Sequence, residues 1–61
     1  MKVKQYRIIK GYTQSELAEM LGIKQNTYSY KERGVYDFSI DEIKKLKTIL
    51  EVSYEELFDE N

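Results

Sequence analysis

Apolar residues recur along the chain at helical rather than strand spacing. Leu17, Ala18 and Leu21 share one helical face, and Ile40, Ile43, Leu46 and Leu50 share another at roughly 3.6-residue spacing, so both faces are expected to point into a core. Three Ser/Thr-x-x-Glu strings mark helix starts: Thr13 with Glu16, Ser39 with Glu42, and Ser53 with Glu56. In such a capping box the hydroxyl and the carboxylate each satisfy a backbone N–H that has no partner within the helix. Each box is flanked by an apolar staple pair, namely Tyr12 with Leu17, Phe38 with Ile43, and Val52 with Leu57. Gly11, Gly22 and Gly34 each follow a segment of helical spacing and read as helix stops. Together these marks predict five short helices near residues 2–10, 14–21, 25–33, 40–50 and 54–58. The alternation of Tyr28 and Tyr30, with Tyr36 beyond, hints at a strand, but Gly22 and Gly34 bound a segment of helical length, so the expected class is all-α.

Length and composition narrow the chemistry. A chain of 61 residues is expected to form one domain over 1–61, because at this size only about 60% of the unfolded surface can be buried. The absence of cysteine and histidine removes disulfides, thiolate nucleophiles, imidazole bases and the usual zinc ligands. No apolar run exceeds two residues, so neither a membrane span nor the apolar stretch of a signal peptide is expected. The expectation is a cytoplasmic protein without metal, cofactor, membrane contact or evident small-molecule ligand. An enzyme is not expected, since the usual nucleophile-and-base combinations are missing and no room for a pocket of ~300 Å³ is foreseen. Glu55, Glu56, Asp59 and Glu60 read as an acidic, solvated end favoured near a helix N-terminus, rather than as an acid/base pair or a magnesium site.

Charge changes the picture through its distribution. The formal net charge is -1, yet residues 1–34 carry seven Lys/Arg against three Glu and residues 35–61 carry three Lys against eight Asp/Glu, a balance of +4 and then -5. Phosphate contacts, if made, are expected from the first half. Of the six tyrosines, Tyr6, Tyr12 and Tyr28 read as core or half-buried sites, and Tyr30, Tyr36 and Tyr54 as exposed ones of the kind found at interfaces.

Two short helices joined through Gly22, with Ile23 directly after it, have the spacing of a helix-turn-helix, whose second helix reads a DNA groove. The string from Thr13 to Ile23 (TQSELAEMLGI), continued by Thr27 to Gly34 (TYSYKERG) and Val52 to Phe58 (VSYEELF), resembles the Cro and phage-repressor helix-turn-helix family, also called the xenobiotic-response-element family. The resemblance covers nearly the whole chain and implies a five-helix, lambda-repressor-like DNA-binding domain.

What the resemblance implies for single residues follows only where they match. Gln14 matches a glutamine that contacts a backbone phosphate and braces the start of the recognition helix, here at Gln25. Lys24, Gln25, Asn26, Ser29 and Tyr30 form the implied base-reading face: Gln and Asn suit adenine N6 and N7, Lys suits guanine O6 and N7, and a tyrosine ring suits a thymine methyl or a phosphate. Tyr28 stands where the family usually buries an aliphatic residue, and Arg7 with Glu32 match a partly buried structural ion pair. Lys10, Lys31, Arg33 and the loop of residues 35–38, Tyr36 included, are the remaining phosphate candidates, which position without carrying sequence information. Three departures from the family pattern stand out. Lys31 replaces a large apolar residue, Asp37 puts an acid in the loop, and Lys24 replaces a serine cap, so the first turn of helix 3 is expected to fray unless Asn26 stabilises it. The implied function is a phage- or mobile-element-like repressor, binding a near-palindromic double-stranded DNA operator as a homodimer, with helices 4 and 5 as the dimer surface. The alternative is an antitoxin-like or anti-repressor module that keeps the fold and binds protein.

Overall fold

The computed structural model describes residues 1–59, and Glu60 lies outside them. Five helices follow in order: α1 (Val3–Lys10), α2 (Gln14–Leu21), α3 (Gln25–Glu32), α4 (Ile40–Leu50) and α5 (Tyr54–Phe58). Among the described residues all regular structure is helical, as the pattern predicts, with the first and third helices one residue shorter than expected.

The three capping boxes all form. Thr13 Oγ1 accepts from the Glu16 N–H at 3.0 Å while Glu16 Oε1 accepts from the Thr13 N–H at 2.9 Å. Ser39 with Glu42 and Ser53 with Glu56 repeat this geometry at 2.8 to 3.1 Å. Helices α1 and α3 start without a side-chain cap, at Lys2 and Lys24. The Lys2 N–H is instead held by the Leu57 carbonyl at 2.7 Å, which ties the start of α1 to α5. In α3 the Asn26 side chain accepts from the Thr27 N–H at 2.9 Å, which satisfies one of the unpartnered N–H groups of the first turn.

At the end of α2, Gly22 takes the left-handed conformation (φ 73°), and the N–H groups of Gly22 and Ile23 return to the carbonyls of Glu19 and Ala18, both at 3.0 Å. This reverses the chain within one residue and delivers Ile23 to the core edge, which fixes the α2–α3 corner. The α4 terminus had no glycine to announce it. Glu51 itself adopts φ 57°, at a conformational cost of roughly 1–2 kcal/mol, and the Val52 N–H closes the turn on the Lys47 carbonyl at 3.1 Å.

The core consists of Val3, Leu17, Ala18, Leu21, Tyr28, Phe38, Leu46, Leu50 and Leu57, with Tyr6, Tyr12, Ile23, Ile43, Ile49 and Val52 packed around it. Helix α4 lies across α1 and α2, and α3 packs on α2. The tyrosines divide as expected: Tyr28 is buried, Tyr6 and Tyr12 are half-buried, and Tyr30, Tyr36 and Tyr54 are exposed. Three isoleucines lie outside the core. Ile40, expected inside, is 73% exposed at the first position of α4, where Phe38 fills the core instead and Glu42 turns inward. On α1 the inner face is Val3, Tyr6 and Arg7, so the adjacent Ile8 and Ile9 point outward, 58% and 73% exposed.

Leu46→Ala, which empties a fully buried site, should destabilise the fold by about 2–5 kcal/mol, whereas Ile40→Ala should stay within about 0.5 kcal/mol. Urea unfolding of the two variants beside the parent checks both; similar losses would show that α4 packs through a different face.

Candidate nucleic-acid interface

Helix α3 has an inner face of two residues. Tyr28 is fully buried, and the Glu32 side chain retains 2% of its exposure. Arg7, one helix away, meets Glu32 in a two-point contact, Nε to Oε2 at 2.9 Å and Nη2 to Oε1 at 3.2 Å, and its Nη1 donates to the Tyr12 carbonyl at 2.8 Å. The Tyr28 hydroxyl donates to Oε2 at 2.5 Å and Gln14 Nε2 donates to Oε1 at 3.0 Å. One carboxylate therefore accepts four bonds from α1, α2 and α3, which fills its acceptor capacity. Burial by itself pushes the Glu32 carboxyl up, but the hydrogen bonds from Arg7, Tyr28 and Gln14 outweigh it and hold the group below its ordinary value. The same bond to Glu32 raises Arg7 against the opposing effect of burial. Desolvation, with the bond to Glu32, pushes the Tyr28 hydroxyl far up, so it remains a proton donor.

Several expected roles change here. The side-chain amide of Gln14 is bonded to Glu32 and not to Gln25, because Glu32 reaches back across the α2–α3 corner to it. Lys31, grouped with the phosphate contacts, donates to Glu42 Oε1 at 2.7 Å with 16% of its side chain exposed, so its charge is spent linking α3 to α4. Burial pushes Glu42 up, but Lys31 and the Ser39 N–H more than compensate and leave it lowered. Lys10 is exposed but bonded to Glu51 at 2.6 Å, which lowers the Glu51 carboxyl. Sequence reasoning missed both acid partners. The one signal for the first was the odd lysine at a position commonly apolar, opposite a capping-box glutamate.

The outer face of α3 carries Gln25, Asn26, Tyr30 and Arg33 exposed and Ser29 half-buried, with Lys24 exposed at the cap. Gln14, Gln25, Asn26, Ser29, Tyr30 and Arg33 line a groove of about 410 Å³. The Arg33 guanidinium lies over the Tyr30 ring, 5.0 Å from its centroid, and Tyr36 meets that ring edge-on at 5.7 Å. A second groove, about 340 Å³ and bordered by Met1, Phe38, Ile43 and Phe58, opens beside the 34–38 loop. The expectation of no depression of such size is thereby corrected: short helices with loops between them leave clefts even in a small fold. Among the described residues no group of acidic side chains could hold a metal ion, and no helix is long and apolar enough to cross a membrane.

A family model described as Helix-turn-helix matches residues 3–57. The chain is 42% identical over 60 residues to the HTH-type transcriptional regulator SinR of Bacillus subtilis (strain 168), a match covering 97% of this chain and 54% of SinR. It is 35% identical over 57 residues to an uncharacterized HTH-type transcriptional regulator of Methanocaldococcus jannaschii, covering 93% of this chain and 86% of that protein. A third relative, an uncharacterized HTH-type transcriptional regulator of Archaeoglobus fulgidus, is 30% identical over 57 residues, covering 93% of this chain and 81% of its own length. The chain thus spans about half the length of SinR. No solved structure matches it.

Arg7→Ala leaves a buried carboxylate without its cation and should cost about 3–5 kcal/mol, read as a lowered urea midpoint. A loss below about 1 kcal/mol, the range of a surface pair, would show that the pair is solvated. Glu32 and Glu42 are both held below the ordinary 4.5 in the folded state. Their contribution is therefore complete above that value and is lost as pH falls through the lowered ones. Tm should decline below about pH 4.5, and a flat Tm down to about pH 3 would contradict the assignment.

Proposed function

The chain belongs to the helix-turn-helix family, and on that premise we propose that it is a sequence-specific DNA-binding transcriptional regulator that lays α3 in the major groove. The observation that carries this reading is the outer face of α3. The groove along it is walled by three amides, a serine, a tyrosine ring and a guanidinium, with no carboxylate among them. The one acid of α3 is turned inward onto Arg7. A polar surface rich in donors and free of negative charge suits DNA edges and phosphates.

Gln25 and Asn26, at the first turn, suit bidentate pairing with adenine, and Lys24 beside them suits guanine or the adjoining phosphate. Ser29 and Tyr30 complete the base-reading face, and Arg33 serves a flanking phosphate. Gln14 spends one N–H on Glu32 and keeps a second for a phosphate. Lys10 and Lys31 already have acid partners, so they contribute less to the interface than their charges imply. A homodimer would set two copies of α3 about one DNA turn, ~34 Å, apart on a near-palindromic operator. Occupying such a site represses by excluding polymerase. The resemblance to phage repressors supports this finer reading, and SinR, named an HTH-type transcriptional regulator, supports the regulatory role.

A second reading, a protein-binding module of the same fold, is favoured by the exposed Ile8, Ile9 and Met20 and by the overall acidity. Salt separates the two, because phosphate contacts weaken steeply as counterions compete. Binding to mixed genomic DNA should fall sharply between low and moderate salt; salt-independent or absent binding favours the protein partner. Gln25→Ala should lower discrimination between operator and random DNA by about 1–3 kcal/mol. Equal losses on both DNAs would remove its base-reading role. Arg33→Ala should weaken both alike and reduce the salt slope by about one contact, and an altered preferred sequence would contradict that.

A further inference from the structure

Tyr30 and Tyr36 are 41% and 58% exposed, and neither belongs to the core. Their geometry is nevertheless fixed. Arg33 covers one side of the Tyr30 ring at 5.0 Å, within the range of an attractive cation–π contact, and Tyr36 abuts it at an interplanar angle of 73°. The segment carrying Tyr36 is anchored on both sides. Before it, the Val35 N–H donates to the Tyr30 carbonyl at 2.9 Å. After it, Phe38 is buried and packs at a tilt on Tyr28, ring centroids 5.9 Å apart. Tyr36 is therefore held by the backbone of the residue it buttresses and by the core beneath α3.

In the groove along α3 the Tyr30 ring is the one apolar surface, the other five lining side chains being amides, a hydroxyl and a guanidinium. In the DNA major groove the one apolar projection from a base edge is the C5-methyl of a pyrimidine. Resting on the reading of α3 as the groove-reading helix, we propose that Tyr30 is the contact for the C5-methyl of a thymine. Tyr36, edge-on to the ring, is then a positioning residue that holds it in place for the methyl. A rigid ring meets the methyl without losing side-chain freedom on binding, so the contact discriminates as well as attracts. Four residues separate Asn26 from Tyr30, a helical rise of about 6 Å, which places this thymine roughly two base steps from the pair read at the start of α3. The tyrosine hydroxyl takes no part in this contact.

The test begins with duplexes selected by the chain from random DNA. Each thymine of the selected site is then replaced singly by deoxyuridine, which removes the methyl and leaves the hydrogen-bonding edge unchanged. One replacement in each half-site should weaken binding about fourfold, the factor corresponding to burial of one such carbon. At that position Tyr30→Ala should abolish the thymine preference, and Tyr36→Ala should cut it to about twofold or less while the circular dichroism and Tm stay near the parent's. Tyr30→Phe and Tyr36→Phe, which keep the rings, should retain the full preference. Selective DNA binding with no deoxyuridine effect at any position overturns this proposal and leaves the regulator reading standing. A full thymine preference in Tyr36→Ala overturns the positioning role alone. Failure to select any sequence overturns both readings together.

Discussion

A carboxylate with 2% of its side chain exposed is tolerated only where donors replace the water it has lost, and the Glu32 site supplies four of them. Those donors come from three helices, so the charge that is most expensive to bury also sets the angles at which α1, α2 and α3 meet. Helix α3 needs this anchor more than the others. It buries a single apolar side chain, Tyr28, begins without a side-chain cap at Lys24, and is short enough to be unstable alone. An apolar stripe would have held it more simply but would have left less of its surface polar and available.

The second tie, Lys31 on Glu42, follows the same logic from the far side of α3. Glu42 accepts at one oxygen from both Lys31 and the Ser39 N–H, so the cap that starts α4 is also the contact that fixes the end of α3. Between Glu32 and Glu42 the helix is clamped on two sides, and what remains free is one continuous outer face from Gln25 to Arg33. The polar outer face is thus a by-product of how the interior satisfies its charges.

The opposite charges of the two halves of the chain take on a different meaning in this light. Lys2 pairs with Asp59, Lys10 with Glu51 and Lys31 with Glu42, in each case a cation of the first half with an acid of the second. Three of the seven cations of the first half are thus paired with acids of the second rather than gathered into a basic face. The electrostatic case for α3 lies in the absence of acids along its groove, not in an excess of bases. The tyrosines divide similarly: Tyr28 serves the buried network, whereas Tyr30 and Tyr36 form a clamped pair outside it.

Local signals in the sequence marked all five helices, a capping box at the start of α2, α4 and α5 and a left-handed glycine after α1, α2 and α3, because each acts within one turn and owes nothing to distant residues. They also marked the α2–α3 corner, and with the family resemblance they distinguished the exposed face of α3 from its buried one. The sequence could not show which of two adjacent apolar or polar residues a helix turns inward, since that depends on what faces it. Ile40 yields to Phe38, Ile8 and Ile9 yield to Arg7, and Glu51 bends backward without a glycine because Val52 must return to the core edge. Nor could it assign partners to Gln14, Lys10 or Lys31, whose acids lie 18, 41 and 11 residues away. Pairings over such separations are decided only when packing brings the helices together and desolvation forces each buried charge to find its complement.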